Sequence, residues 1–299
     1  MVARLSKIFG AAQVKAPRWA MGFTPNSSGD GTILRPLLLP PALDAHKYSR
    51  GHAMVWSGPA LHTGAARLSA QAALAVGAGL VSLIGDRAAL MEQAAHVTAI
   101  MLRETDISFA CVDDRVTALA IGPGAGASVR HAVLQILRLN VPTILDADAL
   151  TTFERDPQIL FGSTGPAAVM TPHIGEFRRL FPDISTDNRA EAVSRAADRA
   201  QCVVLLKGFE TWIAAPDGRM LVNRHASPWL ATAGSGDVLT GLICGLMAQG
   251  ETPFDAACMG AWLHGDIGVL AGPGLTADNM IGHIPLVLRG CLHDANKHG

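Results

Sequence analysis

The sequence predicts an α/β fold, a largely parallel central sheet with helices on both faces. Two observations carry that expectation. From Gly51 onward, short continuous apolar runs alternate with helix-forming segments, and strands that are apolar throughout belong to parallel sheets covered on both sides. The chain just beyond several of these runs is rich in Gly, Asp, His and Lys, and open sheets of this class hold ligands beyond the carboxyl ends of their strands.

The first strand is read at 53–56, followed by a helix at 63–76 whose Ala and Leu content favours tight packing through small residues. Strands follow at 80–84, 118–121, 143–145, 168–170 and 202–206, with helices at 128–138, 174–180 and 187–200. Segments 211–214 and 220–222 flank Pro216-Asp217-Gly218, which reads as a hairpin with Asp-Gly in its turn. The apolar run 238–247 forms a helix, and the tail from 253 to 289 is largely helical. With no internal repeat or low-complexity linker after residue 35, one domain over 36–299 is expected. Residues 1–35 read as a leader, disordered or loosely packed. It carries Arg4, Lys7, Lys15 and Arg18 with no acid before Asp30, and it lacks the apolar core of a secretory signal. An organelle transit peptide is the alternative reading.

Composition narrows the function classes. A chain of 299 residues with 49% hydrophobic and 16% charged residues is a compact globular protein with length to spare for a core. Its net charge of −1 supplies no field toward nucleic acid or an anionic membrane. The longest apolar tract, 72–84, falls short of the roughly 20 residues a membrane span needs. Cys111, Cys202, Cys244, Cys258 and Cys291 are widely spaced, with no CxxC pair. They read as buried thiols of a reducing compartment, so a soluble cytoplasmic protein without a metal site of its own is expected.

The most informative stretch is Ala233-Gly234-Ser235-Gly236-Asp237, running directly into the apolar helix. Two glycines allow a tight turn, and the helix start presents unpaired amides and the positive end of its dipole, a place for a phosphate. A carboxylate on that first turn is placed to take a proton from a hydroxyl attacking phosphorus. The plainer alternative is an Asp that only caps a helix. Each of four further motifs follows an apolar run: Ile121-Gly122-Pro123-Gly124, Leu145-Asp146-Ala147-Asp148-Ala149-Leu150, Thr171-Pro172-His173 with Gly175-Glu176-Phe177, and Lys207-Gly208-Phe209-Glu210-Thr211.

With these motifs in order, the sequence resembles the ADP/ATP-dependent NAD(P)H-hydrate dehydratases, a branch of the ribokinase-like superfamily. The likeness runs from about Leu39 to the C-terminus and includes His46-Lys47, Gly64-Ala65-Ala66-Arg67-Leu68, Gly77-Ala78-Gly79 and Leu263-His264-Gly265. It implies a ribokinase-like fold and repair of nicotinamide cofactors hydrated at position 6 of the reduced ring. ADP or ATP, with Mg2+, would phosphorylate the ring hydroxyl, and elimination of phosphate would restore NADH or NADPH. Asp237 would be the base and touch the hydrate. Gly234, Ser235 and Gly236 would form the anion hole, Lys207, Gly208, Phe209, Glu210 and Thr211 would hold the nucleotide with Gly236 close by, and Ala65, Gly124 and His173 would line the hydrate side. The resemblance further implies an epimerase, expected on a separate chain because only about 35 residues precede the match, and a homo-oligomer, a tetramer.

Read as residues alone, several of these positions have a structural alternative. His173 also suits a helix start, Lys207 a strand end reaching solvent, and His264 a packed helix position with a local hydrogen bond. Asp146 and Asp148 suit magnesium held through water, yet Asp148 also suits an N-cap, and neither is assigned as a metal ligand. The chain departs from the family pattern at Tyr48, at Pro59 in Ser57-Gly58-Pro59, and at Ala233. Two other functions stay open: a kinase of small alcohols or vitamin precursors, and a nucleotide-binding protein without catalysis.

Overall fold

The computed structural model of the chain describes residues 30–38, 40–105, 109 and 111–292. Of the expected leader, residues 1–29 lie outside them. At its described end Thr32 bridges Val222, and the amide of the buried Ile33 donates to the Val222 carbonyl at 2.9 Å.

In chain order the elements are β1 (His52–Trp56), α1 (Gly64–Ala75), β2 (Leu80–Gly85), α2 (Arg87–Ala94), β3 (Met101–Glu104), β4 (Ala118–Ile121), α3 (Arg130–Leu137), β5 (Thr143–Leu145), α4 (Asp148–Thr151), α5 (Pro157–Phe161), β6 (Ala168–Met170), α6 (Ile174–Leu180), α7 (Arg189–Ala200), β7 (Val203–Leu206), β8 (Thr211–Ala214), β9 (Met220–Asn223), α8 (Ser235–Ala248), α9 (Pro253–Ala271) and α10 (Ala277–Cys291). The strands form one sheet in the order β3-β2-β1-β4-β5-β6-β7-β8-β9. Pairs from β3 through β7 are parallel, and the β8–β9 hairpin closes one edge antiparallel. The predicted fold class and hairpin are those observed; β3, α2, α4 and α5 are additions.

Side chains alternate between two cores, as the period of two of a strand requires. Ala53, Val55, Ala118, Ala120, Val203 and Leu205 face a core shared with α1, α8, α9 and α10. Met54, Leu119, Ile121, Leu145, Val204 and Leu206 face the other, shared with α3 through α7. This double cover is why the strands read as continuous apolar runs. The direction in which the strands are laid down reverses between β1 and β4, and in open sheets that reversal opens a crevice beyond the strand ends. Among the described residues no helix is long and apolar enough to cross a membrane.

Candidate active site

The site forms where β5, β6 and β7 end and α8 begins. Gly234 caps α8 with a φ of 85°, a left-handed conformation that suits glycine, and a Cβ there would lie 2.7 Å from the Ala277 Cβ. No side chain caps this end of α8. The Ser235 amide donates to the Thr232 carbonyl at 3.3 Å, which leaves the Gly236 and Asp237 amides to a ligand. α1 fixes this turn in place. Ser69 Oγ donates to the Asp237 carbonyl at 2.7 Å, and a Cβ on Gly241 would fall on the Ser69 carbonyl oxygen, so the two helices touch backbone to backbone.

A cavity of about 540 Å³ opens against this turn, lined by His173, Lys207, Phe209, Ser235, Gly236 and His264 among others. Gly208 and Thr211 line it too. Glu210 does not; its carboxylate takes the Arg224 Nε at 2.9 Å. Of the expected nucleotide and anion-hole residues, the structure thus gathers Lys207, Gly208, Phe209, Thr211, Ser235 and Gly236 around one cavity, with Gly234 capping the same helix.

Lys207 is turned inward. Its Nζ meets Asp146 Oδ1 at 2.7 Å and lies 3.6 Å from where a Cβ on Gly236 would be. Burial alone would lower its pKa, but the carboxylates of Asp146, Glu176 and Asp237 hold it above the ordinary value, so the group is a fixed cation. Asp146 is 2% exposed, and its second oxygen accepts from Thr240 Oγ1 at 2.8 Å. Asp237 is partly buried, and its pKa is raised to about 6, first by desolvation, then by repulsion from Asp146, with Lys207 opposing and Asp148 adding. A carboxylate with that affinity takes and releases a proton near neutrality.

His264 holds the same turn from α9. Its Nε2 lies 2.9 Å from both the Ser235 carbonyl and Oγ. A carbonyl only accepts, so Nε2 carries the hydrogen. Burial lowers the ring's pKa to about 4, which keeps it neutral. The expected local bond is replaced by one that reaches across to α8. His173 caps α6, and it also borders the cavity. Its Nδ1 accepts from the Gly175 and Glu176 amides at 2.9 and 3.4 Å, and Glu176 Oε2 accepts from the His173 amide at 2.7 Å.

Ala65 and Gly124 do not line the cavity. They lie together beyond β1 and β4, a Cβ on Gly124 reaching to 3.2 Å of the Ala65 Cβ, and a Cβ on Gly58 would fall on the Gly124 carbonyl. One helical turn along α1, Ser69 Oγ links the Ala65 carbonyl at 3.2 Å to that of Asp237 at 2.7 Å. Both residue groups therefore converge on the first turn of α8.

Asp148 is not an N-cap. The chain enters α4 through Ala147 with φ 47° and ψ −116°, which makes Asp148 the first helical residue and sends its Oδ2 to the Gly126 amide at 2.8 Å. Among the described residues no group of three or more His, Cys, Asp or Glu is placed to hold a metal ion. Sequence reasoning noticed Asp146 and His264 without their partners. The motifs marked them, but Asp146 pairs with a residue 61 positions away and His264 with one 29 away.

Comparison with known proteins supplies the family and the fold. The family model described as NAD(P)H-hydrate dehydratase matches residues 53–286. The bifunctional NAD(P)H-hydrate repair enzyme Nnr of Synechocystis sp. is 41% identical over 242 residues, covering 77% of this chain and 46% of that protein. The chain spans about half the length of the curated relatives it matches. A solved ADP/ATP-dependent NAD(P)H-hydrate dehydratase from Bacillus subtilis, co-crystallised with ATP/Mg2+, superposes with a TM-score of 0.75 at 29% identity, over 85% of this chain and 95% of that one. A ribokinase-like superfamily protein from Enterococcus faecalis superposes at 0.73 with 24% identity, over 85% and 92%, and shares the fold.

Proposed function

The chain belongs to the NAD(P)H-hydrate dehydratase family, and from that premise we propose that it restores hydrated NADH and NADPH, using ADP or ATP as phosphoryl donor. The observation that carries this reading is Asp237, a carboxylate with a pKa of about 6 on an uncapped helix start beside a fixed ammonium. Asp237 takes the proton of the 6-hydroxyl as its oxygen attacks the terminal phosphorus. The bond from phosphorus to the nucleotide breaks, and the α8 amides with Lys207 bind the charge on the migrating group. The carbon–oxygen bond at ring position 6 then breaks, phosphate leaves, a proton is lost from the neighbouring carbon, and the double bond returns. Phosphorylation turns hydroxide, a poor leaving group, into a good one.

The nucleotide occupies the cavity bordered by Lys207 to Thr211, with Gly236 admitting its phosphates closely. The hydrated ring lies toward Ala65, Gly124 and His173. Asp146 is engaged by Lys207 and Thr240, and Asp148 by Gly126. With those carboxylates engaged, a magnesium ion would be carried on the nucleotide's phosphates, where it would supply charge neutralisation. The proposal includes a cytoplasmic homo-oligomer, a tetramer; the free cysteines Cys111, Cys202, Cys244, Cys258 and Cys291 suit a reducing compartment.

Incubation with hydrated NADH and ATP or ADP tests the reading. Return of the near-ultraviolet absorbance of the reduced ring, with one phosphate released per turnover, is expected. A stable phosphorylated alcohol without cofactor return would make the protein a kinase instead, and nucleotide binding without turnover would make it a binding protein. Light scattering on the purified chain tests the tetramer.

A further inference from the structure

We propose that Asp146 is a positioning residue of this reaction: its buried carboxylate aims the Lys207 ammonium at the first turn of α8, where the migrating phosphoryl group is bound. The proposal rests on the dehydratase reading above and adds a residue to its machinery.

Three observations support it. First, both carboxylate oxygens are engaged, one by Lys207 Nζ at 2.7 Å and one by Thr240 Oγ1 at 2.8 Å. Thr240 belongs to α8, so a single side chain joins the end of β5, the end of β7 and the helix that carries Asp237. Second, the backbone bends to deliver it. Ala147 takes a left-handed φ of 47° immediately afterwards, and Gly122 has φ 128° with no room for a Cβ against the Asp146 carbonyl oxygen. Strain of this kind persists where the surrounding structure enforces it, commonly at functional sites. Third, stability is a poor reason for the pair. Desolvation offsets most of what a buried ion pair gains, so an apolar replacement would hold the fold as well.

Aim is what the pair does supply. A lysine side chain has four flexible carbons and a point charge, and Asp146 leaves Lys207 one place to put that charge, beside Gly236. The charged groups acting on Asp237 are Asp146 from the end of β5, Lys207 from the end of β7 and Asp148 from α4, while Glu176 on α6 acts on Lys207. α1 offers Ser69, which is neutral. Asp146 thus also supplies negative charge that favours the protonated form of Asp237.

The test is Asp146→Asn, with Thr240→Val as a companion that keeps every charge. For Asp146→Asn, kcat is expected to fall about 10–100-fold with the KM for the hydrate changed less than about threefold, and the acid limb of the pH–rate profile to move to lower pH. Thr240→Val is expected to lower kcat about 3–10-fold with the limb in place. Wild-type kcat and an unmoved limb in Asp146→Asn would overturn the proposal, as would a rise in the KM for the hydrate at unchanged kcat. If Asp146→Asn does not fold, Thr240→Val decides alone, and unchanged kcat there overturns it. If the wild type restores no cofactor, the dehydratase reading fails by itself. Calorimetry with ATP and magnesium then still decides: about tenfold weaker binding by Asp146→Asn supports the aiming role, and equal binding ends it.

Discussion

At the ends of β5 and β7 the chain presents charge, Asp146 and Lys207 meeting at 2.7 Å beside a cavity of about 540 Å³. At the ends of β1 and β4 Gly58 and Gly124 meet backbone on backbone with the Ala65 methyl against them, beside a second cavity of about 220 Å³ lined by Trp56, Asp86, Phe109 and His131 among others. The two regions lie along the same edge of one sheet and converge on the first turn of α8. The contrast separates two ways of making a site. On the proposed reading a compact polyanion would be held by an aimed cation and helix-start amides, whereas the hydrate side would be shaped by close backbone packing.

Asp237→Asn gives the largest expected effect, because it removes the proposed base on the turn where both regions converge. Its kcat should fall by about 10²–10⁴ in the absorbance assay. In the wild type, kcat/KM should decline as pH falls through about 6, since the carboxylate form is the one that works. An activity that persists undiminished below that pH would remove Asp237 from its role.

Gly124→Val comes next and tests the glycine side. Its φ of 64° and the His62 carbonyl oxygen 2.7 Å from a new Cβ leave a side chain no strain-free place. A 10–100-fold loss in kcat/KM for the hydrate is expected, with the KM for nucleotide little changed, corresponding to about 1–3 kcal/mol. Lys207→Met should do the reverse, weakening nucleotide binding about tenfold while sparing the hydrate. It also leaves Asp146 buried without its ion partner, so a lower Tm is expected. If both variants damage the same substrate's KM, the division between the two regions fails.

The smallest expected effect is on stability. A carboxyl whose folded pKa is raised binds its proton more tightly folded than unfolded, so stability declines as pH rises from 3.8 through about 6. At pH 7 Asp237→Asn should therefore stabilise the fold by about 1–2 kcal/mol, a gain that vanishes below the unfolded pKa. Urea unfolding of both proteins at pH 7 and pH 3.5 measures the difference.

Much of the sheet was legible because burial on both faces writes itself into consecutive residues. Val203, Val204, Leu205 and Leu206 face alternate cores, and all four are apolar. β3 was not legible: it lies at the sheet edge, and its Met-Leu-Arg-Glu is partly exposed throughout. α2 stands apart for a similar reason, since its Arg-Ala-Ala-Leu-Met-Glu-Gln-Ala carries no clear apolar stripe. In the site, residues that act through their own backbone could be read locally, as Gly234 and Gly236 were. The partners of Asp146 and His264 could not, because both pairings arise only when strands far apart in the chain, or two helices, are brought together. Asp148 was misread for a local reason. One residue of left-handed backbone at Ala147 moved the helix start by a position and turned a cap into a brace for Gly126.

Gly241 and Gly245 carry a consequence well away from the chemistry. They lie about 6 and 12 Å along α8 from Asp237, and a side chain at either would collide with the α1 backbone, at Ser69 and at Ala73 respectively. The two helices are seated too closely there for either to accept a side chain, so one methyl group added at this distant seam would shift the proposed reacting turn of α8.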